Sequence, residues 1–243
     1  MARIELRNTT ILMKDGLAGT AAVDDMAAAM GDTSIGVDTV ALNTAVTTKI
    51  PIGARFTVTG ETGSPVHVVT ARTPTSVGPT TSITFTPALA SGVSNDAVIT
   101  FGSQQIEIKI GEGDLTYTET DQYTYDLDRG ELDTVRRGDD VPMEVSLAFT
   151  FEQVTTGTGE AITPVDALKR INGAAEWVSS SDDLCEPYAV DIEVIHEPPC
   201  GTAQVEEILF PDFRAESRQF SFRDAQISVT GRCNATEPTV TRS

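Results

Sequence analysis

The side chains able to do chemistry in this 243-residue chain are 36 carboxylates, three cysteines and two histidines. A Ser-His-Asp arrangement needs a histidine base beside its nucleophile, and His67 and His196 each stand isolated in a strand-like segment. Zinc would have to call on Cys185, His196, Cys200 and Cys233, yet no CxxC or HxxxH pair is present to nucleate a tetrahedral site. Buried, reduced thiols are the expectation, with a disulfide across the Pro198-Pro199 loop as the alternative. A calcium loop starting at Asp126 would want an oxygen ligand fifth, glycine sixth and glutamate twelfth, where the chain has Gly130, Glu131 and Arg137. A looser cation site among these acids stays open. Gly111-Glu112-Gly113 lies between two strand patterns with no Lys-Ser/Thr after it, so it is no phosphate loop. Carboxylate pairs for glycoside hydrolysis can be drawn from 36 acids in too many ways to carry meaning. The residues therefore predict no enzyme, no cofactor and no metal.

Charge is the stronger signal. The formal net charge is −19, and it is uneven: residues 1–105 hold eight acids and six bases, residues 106–243 hold 28 and 11. A surface of that sign is unsuited to gripping DNA phosphates, and bases never cluster beyond Arg136-Arg137. Those two arginines suit either the carboxylates of a neighbouring copy or an ion pair on a solvated face of their own chain. No run approaches the roughly 20 apolar residues of a membrane helix, and no apolar leader opens the chain, which points to a cytosolic protein without membrane insertion.

The acids converge on one stretch, residues 123–154. Val141, Met143, Val145, Leu147, Phe149 and Phe151 alternate with Glu144, Ser146, Thr150 and Glu152, which predicts a strand with one buried and one wet face. Before it, Tyr123, Tyr125, Asp126, Asp128, Arg129, Glu131, Asp133, Arg136, Arg137, Asp139 and Asp140 form a charged run punctuated by Gly130 and Gly138. Such a run predicts a projecting hairpin or long loop.

The elements that would position this stretch are mostly strands. An N-terminal strand spans Arg3 to Met13 with Ile4, Leu6, Ile11 and Met13 inward, and Asp15-Gly16 ends it as a turn. Thr20 to Met30 is alanine-rich and predicts a short helix. From there to Phe101 the chain is low in charge and rich in Thr, Val, Gly and Pro. Pieces at 34–40, 55–59, 66–71, 82–86 and 97–101 predict a small β-barrel inserted at residues 18–103, dividing a main domain of residues 1–17 and 104–243. The strand carrying Ile106 and Ile108 should then pair with the first strand. Thr163-Pro164-Val165-Asp166 is a helix start, and Val165, Leu168, Ile171 and Ala175 line one face of a helix expected to reach Trp177. Strands at 188–196, 203–210 and 219–231 follow, with a break at 211–216 and a loose polar tail after Cys233.

The order of these elements, together with the runs Asp128-Arg129-Gly130, Arg136-Arg137-Gly138-Asp139-Asp140 and Pro142-Met143-Glu144-Val145-Ser146, resembles the tail tube (major tail) proteins of long-tailed bacteriophages. The likeness covers about the last 140 residues plus the short first strand. It implies a mainly β fold: a tail-tube-type β-sandwich with one flanking α-helix, the inserted barrel being an addition that sits outside the tube. It further implies hexameric rings stacked into a hollow tube, with residues 123–140 as the ring-stacking arm. The core strand would be Val141, Met143, Val145, Leu147 and Phe149. Acids facing the lumen would come from Glu107, Glu144, Glu152, Asp191 and Glu193. Implied partners are further copies of the chain, tail terminator, tail tip and tape measure proteins, and phage DNA passing without tight binding. The implied location is the virion tail, assembled in the host cytoplasm. Two alternatives stand beside it: a surface- or carbohydrate-binding β module, and another ring-forming connector of a phage tail.

Overall fold

The computed structural model describes residues 8–24, 27–43, 49–74, 79–110, 113–129, 131–150, 154–155, 161–181, 183, 185–197, 204–221 and 223–242. The fold is mainly β, with a single α-helix among these residues. The chain divides into two compact units. One comprises Met1–Leu12, Ile108–Phe151 and Asp191–Ser243; the other comprises Met13–Glu107 and Glu152–Val190. The expected insert covered residues 18–103 alone, whereas the second unit also takes in the helix and the segment after it.

In the second unit, strands β2 (Gly19–Val23), β3 (Ala27–Ala28), β4 (Ser34–Leu42), β5 (Arg55–Val58), β6 (His67–Thr73), β7 (Ser82–Thr86), β8 (Val93–Ser94), β9 (Val98–Gly102) and β10 (Gln105–Glu107) follow β1 (Thr9–Lys14). Six of them close a barrel in the order β2-β4-β7-β6-β5-β9, and β2 pairs back onto β9. Closure leaves no strand edge to pair with another chain. Alternation fills its core: Ile35, Val37, Phe56, Val58, Val69, Ile83, Phe85, Ile99 and Phe101 are buried while their neighbours face outward. The helix expected over Thr20 to Met30 is instead β2 and β3. Alanine's helical preference amounts to tenths of a kcal/mol per residue, and β2 sits between two ladder partners that outweigh it.

Two short strands, β15 (Val154–Thr155) and β16 (Ala161–Ile162), precede the helix α1 (Pro164–Lys169). Thr163 caps it reciprocally with Asp166: the Asp166 N–H donates to Thr163 Oγ1 at 3.1 Å and the Thr163 N–H to Asp166 Oδ2 at 2.9 Å. The helix stops earlier than the spacing predicted, because Arg170 adopts φ 54° and a 3-10 turn, Asn172–Ala174, follows. Val165 and Leu168 are buried as expected, but Ile171 is exposed.

In the first unit, β11 (Leu115–Thr118), β12 (Tyr123–Asp128), β13 (Glu131–Arg137), β14 (Glu144–Thr150), β17 (Val190–His196), β18 (Glu206–Ser221), β19 (Gln226–Arg232) and β20 (Thr239–Arg242) complete the strand set. Its sheet runs β1-β17-β18-β19-β14-β11, with β20 also paired to β18. Met143, Val145, Leu147 and Phe149 are fully buried with Ile227, Val229, Phe210 and Phe213 in its core. Val141 is half-buried and precedes the strand. The expected pairing near Ile106 is present on both sides of the division. The Ile108 N–H donates to the Ile11 carbonyl at 2.8 Å, and the Asp15 N–H to the Gln104 carbonyl at 3.0 Å.

β18 runs straight through the expected break at residues 211–216. Asp212 takes φ 51° after Pro211, and its N–H leaves the ladder to donate to Asp191 Oδ1 at 2.9 Å. The tail expected to be loose is β20, held to β18 in register from Glu206↔Arg242 to Leu209↔Thr239, with Arg242 Nη2 donating to Glu206 Oε1 at 2.7 Å.

Candidate functional site

The charged run is a two-stranded antiparallel hairpin, β12-β13, which joins no other sheet. Its register sets two faces. Tyr123↔Arg137, Tyr125↔Val135 and Leu127↔Leu132 lie on one; Thr124↔Arg136, Asp126↔Thr134 and Asp128↔Glu131 lie on the other. A bulge leaves Asp133 without a partner and brings Leu132 opposite Leu127. The first face is apolar yet wet: Tyr125 is 60% exposed, Leu127 66% and Leu132 61%, with Tyr123 and Val135 close behind. A free two-stranded hairpin is marginal in water, and an apolar face raises the cost of leaving it uncovered.

The polar face is held within the chain. Arg136 Nε lies 3.1 Å from Asp126 Oδ2, which also accepts from Thr134 Oγ1 at 3.2 Å. On the other face, at the hairpin base opposite Tyr123, Arg137 Nη2 donates to Asp140 Oδ1 at 3.0 Å. Arg129 turns the hairpin at φ 51°. Asp128, Glu131, Asp133, Asp139 and Asp140 are exposed. The hairpin base is an acidic recess in which Glu119, Asp121, Asp139, Asp140 and Glu237 surround Arg137. These ion pairs are exposed and contribute little to stability.

The expected lumen acids are dispersed. Glu107 is exposed at the end of β10. Glu144 accepts from Arg232 Nη2 at 3.0 Å across β14 and β19. Asp191 and Glu193 are half-buried on one face of β17, opposite Val190 and Ile192, and Asp191 is engaged by the Asp212 backbone. Glu152 lies outside the described residues. The polar face of β11, β14, β19 and β18 carries three cross-strand rows of hydroxyls and amides, Thr116-Ser146-Thr230-Ser217, Ala148-Ser228-Gln219 and Thr150-Gln226-Ser221, and at one end the charged row Thr118-Glu144-Arg232-Arg214.

Three polar sites in the second unit are formed by side chains that the sequence does not mark as partners. Asp15, expected in a turn, is 1% exposed. Its Oδ1 accepts from the backbone N–H of Gln104 at 2.6 Å and of Leu17 at 3.2 Å; its Oδ2 accepts from Gln104 Nε2 and the Val178 N–H, both at 3.2 Å. Burial pushes its pKa up to about 7, against the pull of those four donors. His67 lies among Phe56 and Phe85 with no exposed surface. Its Nδ1 donates to the Pro87 carbonyl and its Nε2 is hydrogen-bonded to Glu61 Oε2, each at 2.7 Å; Glu61 Oε1 accepts from the Ala90 N–H. The third site joins Arg72 to Glu176. The only advance signal was the residue types, charged groups in segments otherwise low in charge.

Among the described residues no group of three or more His, Cys, Asp or Glu side chains is placed to hold a metal ion, and no helix is long and apolar enough to cross a membrane. Burial, with Asp191 and Asp212 nearby, pushes the Cys233 thiol up to about 12. No protein-family model, curated protein or solved structure matches the chain.

Proposed function

We propose that the chain is the tail tube subunit of a long-tailed bacteriophage, closing as hexameric rings that stack into a hollow conduit for DNA. The observation that carries this reading is the β12-β13 hairpin, whose apolar face of Tyr123, Tyr125, Leu127, Leu132 and Val135 is exposed in the single chain. In a stacked assembly that face is covered by the next ring, and the ion-paired polar face stays toward solvent. A sheet with open edge strands at β11 and β20 is completed by neighbouring copies in the same assembly, which removes edges that would otherwise invite misdirected pairing. The tail-tube-type sandwich, the lumen and the exterior placement of the barrel belong to this proposal. The hydroxyl-rich rows of β11, β14, β19 and β18 suit a wall past which DNA slides, and Arg232 at their end is held by Glu144, with Glu216 4.0 Å away.

A carbohydrate-binding barrel would present aromatic platforms, but Phe56, Phe85 and Phe101 are all buried in its core. The test is electron microscopy and light scattering of the Tyr125→Ser, Leu127→Ser double variant beside the parent. Stacking should be lost while the monomer's fold survives. Tubes of unchanged length and yield from the variant would remove the hairpin from the contact.

A further inference from the structure

A guanidinium withdrawn from water must find acceptors for its N–H groups, and a carboxylate that answers both terminal nitrogens is the best-matched partner. Arg72, near the end of β6, has a side chain only 2% exposed. Its Nη1 donates to the Ile50 carbonyl at 2.8 Å and to Glu176 Oε2, and its Nη2 donates to Glu176 Oε1. The same carboxylate accepts from the Ile52 N–H at 2.9 Å and from Lys49 Nζ at 3.4 Å. The loop holding these donors is itself fixed, since the Ile50 N–H donates to the buried Thr80 Oγ1 at 2.9 Å. Both carboxylate oxygens are therefore met by a cation, and one also by a backbone dipole, all supplied by residues 49–72. The carboxylate comes from residue 176, about a hundred positions along the chain.

We infer that Arg72, the Ile52 N–H and Lys49 form a carboxylate receptor on the barrel, loaded in cis by Glu176, so that the segment after α1 is latched to the barrel by a self-ligand. The receptor is separate from the hairpin and stands whether or not the chain builds a tube. Its ligand class is a small monocarboxylate, because the fork and the amide match one planar carboxylate. In the segment it holds, Trp177 and Val178 follow as buried residues, and Val178 belongs to the barrel core. The barrel is accordingly not a removable ornament, since excising residues 18–103 strips Glu176 of its donors and Val178 of the core it packs in.

The test uses the full chain with Glu176→Ala, which removes the CH2COO− fragment that acetate can replace. Trp177 is the only tryptophan and is 1% exposed, so its emission reports this unit. Acetate at ten times its Kd should shift the folded-to-unfolded ratio of the variant by about tenfold, with no effect on the parent. Chloride at equal ionic strength should give none, and Arg72→Ala placed in the variant should abolish the response. Should Glu176→Ala be unfolded alone, recovery of native Trp177 emission on adding acetate reads the same equilibrium. Glu176→Gln, whose side chain fills the site without charge, should be destabilised and blind to acetate. Undiminished stability of Glu176→Ala, equal rescue by chloride, or no rescue by acetate would each overturn the receptor.

Discussion

Replacing Asp15 by asparagine should change how stability depends on pH more than it changes the structure. The carboxyl is 1% exposed, and its pKa rises from 3.8 when unfolded to about 7 when folded. Between those values the folded chain holds a proton that the unfolded chain has released, so stability falls as pH rises; the contribution is full below 3.8 and gone above about 7. A shift of that size corresponds to about 4 kcal/mol across the window. An asparagine side chain cannot titrate, so this dependence disappears from the variant, while the other groups contribute equally to both chains. Urea denaturation followed by Trp177 emission at pH 4, 5.5, 7 and 8 measures the difference. The variant should gain on the parent by about 4 kcal/mol from pH 4 to pH 8. Superimposable pH profiles would refute the reasoning, because they would mean that ionising Asp15 costs the fold nothing. At any one pH the asparagine amide faces the Val178 N–H and Gln104 Nε2, two donors left without an acceptor, which sets a constant penalty of about 3 kcal/mol beneath the slope.

Further outcomes are equally specific. Gly16→Ala would place a Cβ 2.1 Å from the Ser179 carbonyl oxygen and 2.5 Å from Ser180 Cα, so thermal denaturation should show a loss of about 3 kcal/mol. Thiol labelling of the native protein read by peptide mass spectrometry should find Cys185, which is exposed, modified first. Cys233, buried with its thiol pKa at about 12, should stay unmodified until unfolding. Glu176, though partial burial works against it, is brought down to about 2 by the Arg72 fork, the Ile52 N–H and the charges of Arg72 and Lys49. Its contribution is present above pH 4.5 and lost as pH falls toward 2. Discounted for its partial exposure it amounts to about 2 kcal/mol, absent in Glu176→Gln on acid titration. Tyr125→Ser with Leu127→Ser should leave monomer stability within about 0.5 kcal/mol by differential scanning calorimetry.

What the sequence revealed and what it hid follow one physical division. Period-two alternation located the strands of the barrel at 34–40, 55–59, 66–71, 82–86 and 97–101 to within a few residues, because each buries alternate side chains in a shared core. The same alternation found Met143 to Phe149. It failed at Thr20 to Met30, where the small alanines match either structure and only the pairing partners Val98 to Phe101 and Val37 to Leu42 decide. It failed again at Pro211-Asp212, where Asp191 on another strand lets β18 continue. The hairpin was legible as a charged, glycine-marked run, but its apolar face was not, since the bulge at Asp133 shifts Leu132 onto it. Asp15, His67 with Glu61, and Arg72 with Glu176 were invisible as sites for one reason: each carboxylate meets donors that only the closed barrel brings near.

The most direct measurement is negative-stain electron microscopy of the purified protein across a concentration series, with mass by light scattering on the same samples. The proposed tube subunit should give six-fold rings and hollow tubes that lengthen with concentration. A compact dimer unchanged over the whole series would contradict the proposal.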